Sequence, residues 1–147
     1  MSDKFWAWFD SFAEPYEPLM ATLSERFGAT FVMVHTGGGC MAIEATLEGC
    51  GLMITDTADI LSSWDERQEA AQSGEPLGYA VGVYPLETYE QDGKQFTEVN
   101  TSEAVGWASS PRADGADRLI RLIELAIARV GQPINYEHVP DAELGVK

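Results

Sequence analysis

Aromatic residues recur at helical spacing at the start of the chain. Residues 3–13 follow a helical period behind a capping serine, and four rings share one face of the predicted helix: Phe5, Trp8, Phe9 and Phe12. Trp6 lies to one side of that face. A second helix is predicted from Pro18, which suits a first helical position, to Gly28, which suits a left-handed cap.

From residue 30 onwards the apolar positions alternate with a period of two, which predicts β-strands. Residues 30–35 are apolar on both faces, as in an interior strand, whereas residues 41–48 alternate between apolar and polar side chains. Gly49-Cys50-Gly51 is typical of a tight hairpin turn, and residues 52–55 form the returning strand. These three segments predict a central β-meander.

The second half of the chain adds further strands and two helices to the prediction. Residues 64–72 predict a short polar helix, and residues 77–84 predict a fourth strand. Asp92-Gly93 is a hairpin signal before an edge strand over residues 95–100. A stripe of apolar residues predicts a helix over residues 114–130.

Together these elements predict an α+β fold. We expect an antiparallel sheet of four or five strands, with the N-terminal and C-terminal helices packed on it. A length of 147 residues with 45% apolar side chains suffices for one hydrophobic core. Residues 1–134 are expected to form this single domain, and residues 135–147 a loosely held acidic tail.

The chain is strongly acidic, and this excludes two classes of partner. It has 9 basic and 24 acidic side chains and a net charge of −15. Proteins that track nucleic-acid phosphates or anionic membranes need an excess of Lys and Arg. The chain lacks a secretory signal pattern and an apolar stretch of about 20 residues, so we expect a cytoplasmic protein without direct nucleic-acid or membrane contact.

The residues that could bind a metal through nitrogen or sulfur are few and are not closely paired. They are His35, Cys40, Cys50 and His138. Zinc sites normally bring cysteines two to four residues apart, whereas nine residues separate Cys40 from Cys50. We predict no metal site and no cofactor, and whether the two thiols lie close together stays open.

Two other groups of residues suggest alternatives to a purely structural role. Gly37, Gly38 and Gly39 follow a strand and could bind an anion or small ligand through their amides. A strand rather than a helix follows them, which favours a plain flexible connection. Glu44, Asp56 and Asp59 could bind a metal in a hydrolase, or they could be solvated charges in an acid-rich chain.

The aromatic N-terminal helix is the more informative signal. Trp8 and Phe9 are expected in the core, yet aromatic anchors are also typical of protein interfaces. The candidate interface residues are Phe5, Trp6, Trp8 and Tyr16.

Part of the chain resembles small acidic proteins of unknown function encoded by actinobacterial phages. The similarity covers about residues 30–85 and rests on three segments: residues 36–44 (TGGGCMAIE), residues 52–56 (LMITD) and residues 78–84 (GYAVGVY). The resemblance implies a phage setting and a host factor as partner, without implying a mechanism.

We therefore hypothesise a non-enzymatic acidic protein-binding module that acts as a phage accessory protein on a host factor. No motif for nucleophilic catalysis occurs, so no catalytic residue is predicted. A metal-assisted hydrolase or small-ligand binder using Glu44, Asp56 and Asp59 is one alternative. A nucleic-acid mimic that occupies a DNA-binding protein is another, and a homodimer stays open.

Overall fold

The computed structural model describes residues 2–58 and 60–145. Within these ranges the helices are α1 (Asp3–Ala13), α2 (Glu17–Phe27), α3 (Trp64–Gln72) and α4 (Ala116–Ala128). The strands are β1 (Phe31–Gly37), β2 (Cys40–Leu47), β3 (Cys50–Thr55), β4 (Tyr79–Tyr84), β5 (Leu86–Gln91), β6 (Lys94–Val99) and β7 (Gly106–Ser110). Single 3₁₀ turns cover Glu14–Tyr16 and Asp141–Leu144.

Five strands form one antiparallel sheet in the order β1-β2-β3-β4-β7, which confirms the predicted α+β class and the meander of β1, β2 and β3. Strand β1 lies at the edge of this sheet and not in its interior as predicted, and Val32 on it is 44% exposed. Cys50 and Gly51, predicted as part of the hairpin turn, belong to β3. The fifth strand of this sheet is β7 and not the segment predicted for it. Residues 95–100 were predicted as the edge strand, but β6 pairs with β5 in a separate two-stranded hairpin. Strand β7 takes the edge position beside β4, although its sequence, GWASS, contains no β-branched residue.

The core lies between one face of the sheet and the helices. The register aligns Ile43, Ile54, Val81 and Ala108 across four neighbouring strands, and all four side chains are fully buried. Helix α4 buries a stripe against this face through Leu119, Leu122, Ile123 and Ala126. Burial of each large aliphatic side chain stabilises the fold by about 1.5–3 kcal/mol, so this layer holds the sheet and α4 together.

The opposite face of the sheet is covered differently. The next row of the register runs through Val32, Glu44, Met53, Gly82 and Trp107. The β5–β6 hairpin packs on this face, because a Cβ placed on the neighbouring Gly51 would meet the side chain of Val99 at 2.4 Å. The helices therefore cover one face of the sheet, and the hairpin covers part of the other.

The described part of the C-terminal segment makes more contacts than a loosely held tail requires. Val139 and Leu144 are buried, and the amide of Val139 donates a hydrogen bond to the Ser109 carbonyl at 2.8 Å. Arg121 of α4 donates to the Glu143 carbonyl at 2.9 Å. Two buried apolar side chains and two hydrogen bonds thus attach this segment to β7 and α4.

Candidate functional site

Helix α1 is covered with aromatic rings, yet none of its side chains is buried. Trp6 is 50% exposed and Trp8 is 41% exposed. The prediction that Trp8 belongs to the core is therefore wrong, and Phe9 is only partly buried. Tyr16 is wrongly assigned to the interface, because it is fully buried below the end of the helix. Phe5, Trp6 and Trp8 form the part of the predicted interface that reaches solvent, and we call these three residues the α1 aromatic surface.

Ring contacts fasten α1 to the rest of the domain. The ring of Phe5 meets His35 of β1 edge-on at 4.9 Å between centroids. At the other end of the helix, Phe12 stacks on Tyr16 at 5.9 Å, and Tyr16 meets Trp64 of α3 at 5.1 Å. The partly buried rings therefore attach the helix, while Trp6 and Trp8 keep large areas in water.

Exposed carboxylates lie along α1 and directly after it. Asp3 and Asp10 lie on α1, Glu14 and Glu17 follow it, and all four side chains are exposed. Lys4 is the one basic side chain in residues 2–17. The surface therefore combines apolar rings with a negative potential, which favours a positively charged partner.

A second candidate site is centred on Arg67 of α3. This arginine is 2% exposed, and its guanidinium donates to Asp56 Oδ1 at 2.5 Å and to Asp114 Oδ1 at 2.6 Å. It also lies over the ring of Tyr79, with its central carbon 3.8 Å from the ring centroid. Ser62 donates to the other oxygen of Asp56 through both its amide and its hydroxyl.

Burial changes the protonation behaviour of this cluster. Desolvation raises the pKa of Tyr79 to about 12, although the charge of Arg67 opposes that shift. Desolvation also raises the pKa of Tyr16, whose hydroxyl donates to the Ser62 carbonyl. The pKa of Asp56 is raised by burial, while hydrogen bonds from Ser62 and the charge of Arg67 offset part of the increase. Both tyrosines therefore stay neutral at physiological pH.

A cavity of about 380 Å³ adjoins the Arg67 cluster. Pro18 and Leu19 of α2 and Trp64 of α3 form apolar parts of its wall, and Asp114 lies at the start of α4. Asp114 is 26% exposed in its side chain, so its carboxylate is reachable from solvent. The cavity thus combines apolar walls with one accessible carboxylate, as small-molecule sites commonly do.

The turn at Gly37–Gly39 does not form an anion-binding loop, and Glu44 and Asp56 do not come together as a metal site. Gly38 and Gly39 have φ angles of 60° and 81° and make a tight exposed turn between β1 and β2. The amide of Gly39 donates to His35 Nε2 at 3.1 Å, so this amide is already used. Asp56 is bound to Arg67 on the helical side, whereas Glu44 faces the opposite side of the sheet. Asp59 lies outside the described residues.

Glu44 lies near Glu98 of β6, where the hairpin covers the sheet. Burial raises the pKa of its carboxyl, and Glu98 of β6 adds a repulsive charge that raises it further. The two glutamates bring like charges together where the hairpin packs on the sheet.

The thiols lie far apart. Cys40 begins β2 opposite Gly37, whereas Cys50 pairs with Leu47 at the other end of that strand. Seven residues of extended chain span about 23 Å, which is too far for a disulfide or a shared metal. Within residues 2–58 and 60–145, no group of three or more His, Cys, Asp or Glu side chains could hold a metal ion. His138 instead shares a hydrogen bond with Ser109 at 3.1 Å.

The Arg67 cluster is not predicted by the sequence. Helix α3 is polar, so an arginine in it suggests a solvated side chain, and nothing in the sequence links Asp56 to Asp114. The available signal is the helical spacing of Trp64 and Arg67, which places the arginine on the same face as an apolar ring.

No protein-family model, curated protein or solved structure matches this chain. In the part of the chain that the structure describes, no helix is long and apolar enough to cross a membrane.

Proposed function

We propose that the protein is a binding module for a basic protein partner and that the α1 aromatic surface is its contact site. The observation that carries this proposal is the exposure of Trp6 and Trp8, at 50% and 41%, on a helix without a buried side chain. Burying a tryptophan against a partner removes a large apolar area from water at low cost in side-chain entropy. Such residues are the commonest hot spots of protein interfaces.

The charge of the molecule favours a basic partner over a second copy of this chain. Two copies would each bring a net charge of −15 to the contact, and Asp3, Asp10 and Glu14 would face one another around the rings. A basic surface would instead be attracted over a distance of about a Debye length and would bind faster at low salt. The resemblance to phage-encoded proteins makes a host factor the expected partner.

The test is affinity purification from the cells that naturally make the protein, with three forms of the chain as bait. These are the wild type, the Trp6→Ala/Trp8→Ala variant, and a Tyr136→Ala control that removes an exposed ring from another part of the surface. We expect a basic protein that the wild type and the control retain and the double variant loses. Its retention should also fall as salt rises, because screening weakens the attraction.

The double variant must remain folded for this comparison. Both tryptophans are about half exposed, so we expect their removal to lower the free energy of unfolding by less than about 2 kcal/mol, below the cost of deleting two core rings. Urea unfolding followed by circular dichroism measures this. A partner retained equally by all three baits, or a captured second copy of this chain, would contradict the proposal.

A further inference from the structure

The cavity beside Arg67 has features of a binding site that the α1 aromatic surface does not use. It lies between α2, α3 and the start of α4, and its rim carries the exposed side chains of Thr22 and Gln68. Its volume of about 380 Å³ exceeds the space that a few waters need and falls within the range of small-molecule pockets.

Arg67 and Asp114 are the two charged residues that line the cavity, and Asp114 is the one whose side chain reaches solvent. One of its carboxylate oxygens accepts the bond from Arg67 at 2.6 Å. Within the described residues, no hydrogen bond reaches its other oxygen, Oδ2. A carboxylate with an unused oxygen at a cavity wall can accept a hydrogen bond from a ligand donor, and it does so most strongly when that donor is charged.

The charges around the cavity also favour a cation. The guanidinium of Arg67 faces two carboxylates, Asp56 and Asp114, which leaves an excess of one negative charge. An anionic ligand would have to overcome these charges and the acidic field of the whole protein.

The walls of the cavity are suited to contact an apolar group on a cationic ligand. Leu19 and Pro18 offer aliphatic surface, and the Trp64 ring lies at the cavity and is partly exposed. The same combination already binds one cation in this protein, because the Arg67 guanidinium donates to two carboxylates and lies over the ring of Tyr79. Asp114 and Trp64 both line the cavity and offer a ligand a carboxylate and an aromatic ring.

We propose that this cavity binds a small organic cation, an amine or amidine carried on an apolar group. Its charged nitrogen is bound by Asp114 Oδ2, and its apolar body contacts Trp64 and Leu19. Thr22 and Gln68 border the entrance. This site is independent of the proposed partner contact at α1.

Benzamidinium is a suitable probe, with benzamide as the neutral match and benzoate as the anionic match. The chain has four tryptophans, so the indole N–H signal of Trp64 can be followed by NMR and assigned with Trp64→Phe. We expect benzamidinium to shift that signal saturably with a Kd of about 1 mM, as its size allows. Benzamide should bind about tenfold more weakly and benzoate more weakly still.

Two variants of α2 distinguish a blocked cavity from a general effect of a new tryptophan on that helix. Thr22→Trp places a ring in the entrance, whereas Ala21→Trp places the same ring on the neighbouring exposed position, which does not line the cavity. Thr22→Trp should abolish the benzamidinium shift, and Ala21→Trp should retain it. Asp114→Asn should weaken binding about tenfold, and the two tryptophan variants provide the test if that variant does not fold.

Three outcomes would overturn the proposal. They are no saturable shift with benzamidinium, equal binding of all three probes, and equal binding to Thr22→Trp and Ala21→Trp.

Discussion

Replacing Arg67 by methionine tests whether the buried ion cluster organises this side of the domain. The substitution keeps an unbranched side chain of similar length but removes the charge. Asp56 is 3% exposed and would lose the hydrogen bond from Arg67 at 2.5 Å, leaving a carboxylate in the interior with only Ser62 as partner. Asp114 would also lose its partner, but it is 26% exposed and can be solvated.

The expected cost follows from the uncompensated charge. Removing one member of a buried ion pair typically lowers the free energy of unfolding by about 3–5 kcal/mol. We assign most of this cost to Asp56, because water reaches Asp114. The Asp56→Asn/Arg67→Met double variant, which removes both charges, should therefore be more stable than Arg67→Met alone by about 2 kcal/mol.

Urea unfolding at pH 7, monitored by tryptophan fluorescence and by circular dichroism, measures both differences. Arg112→Met is the matched control, since its ion pair with Asp141 is about half exposed and spans 3.6 Å. That control should change the free energy of unfolding by less than about 1 kcal/mol. An Arg67→Met variant as stable as the Arg112→Met control, or a double variant no more stable than Arg67→Met, would show that the buried Arg67–Asp56 pair does not determine the stability of this side of the domain.

Two further substitutions test local packing and charge. Gly78→Ala should lower the free energy of unfolding by at least about 2 kcal/mol, because its Cβ would lie 2.1 Å from the Ser110 carbonyl. Gly74→Ala is the control, since Gly74 is also at positive φ but has no atom near its Cβ position, and it should lower the free energy of unfolding by about 1 kcal/mol. Equal losses of stability for the two variants in thermal unfolding would contradict the close packing of Gly78 against Ser110. Glu44→Gln should stabilise the protein by roughly 0.5 kcal/mol at pH 7, since it removes a partly buried charge beside Glu98. The raised pKa of Glu44 means that this gain disappears as pH falls below about 4, where the carboxyl is protonated in both states; a gain that persists at acidic pH would argue against the assignment.

The elements with strong periodicity could be predicted from the sequence. Helix α1 occupies Asp3–Ala13 as predicted, and the meander of β1, β2 and β3 follows the alternation over residues 30–55. Strand β7 could not be predicted because it has only five residues, most of them small, and they show neither a clear alternation nor a high β-propensity. It forms because β4 offers an open edge and α4 covers its apolar side.

The candidate sites were predictable only where local pattern determines them. The aromatic content of α1 is visible in the sequence, but the exposure of Trp8 depends on where the helix docks, which its own periodicity does not specify. Arg67 meets Asp56 and Asp114 through tertiary packing, across separations of 11 and 47 residues. Pairings of that kind have no short-range signal, so the cavity beside them could not be anticipated.

A photo-crosslink at position 6 identifies directly the molecule that contacts Trp6 in the cell. A photo-crosslinking phenylalanine analogue replaces Trp6 in one form of the protein and Tyr136, which is 65% exposed, in another. Irradiation in the native host should yield a covalent adduct with a basic protein from position 6 and not from position 136. Identical adducts from the two positions, no adduct from position 6, or an adduct with a second copy of the chain would contradict the claim that the α1 aromatic surface binds a partner protein.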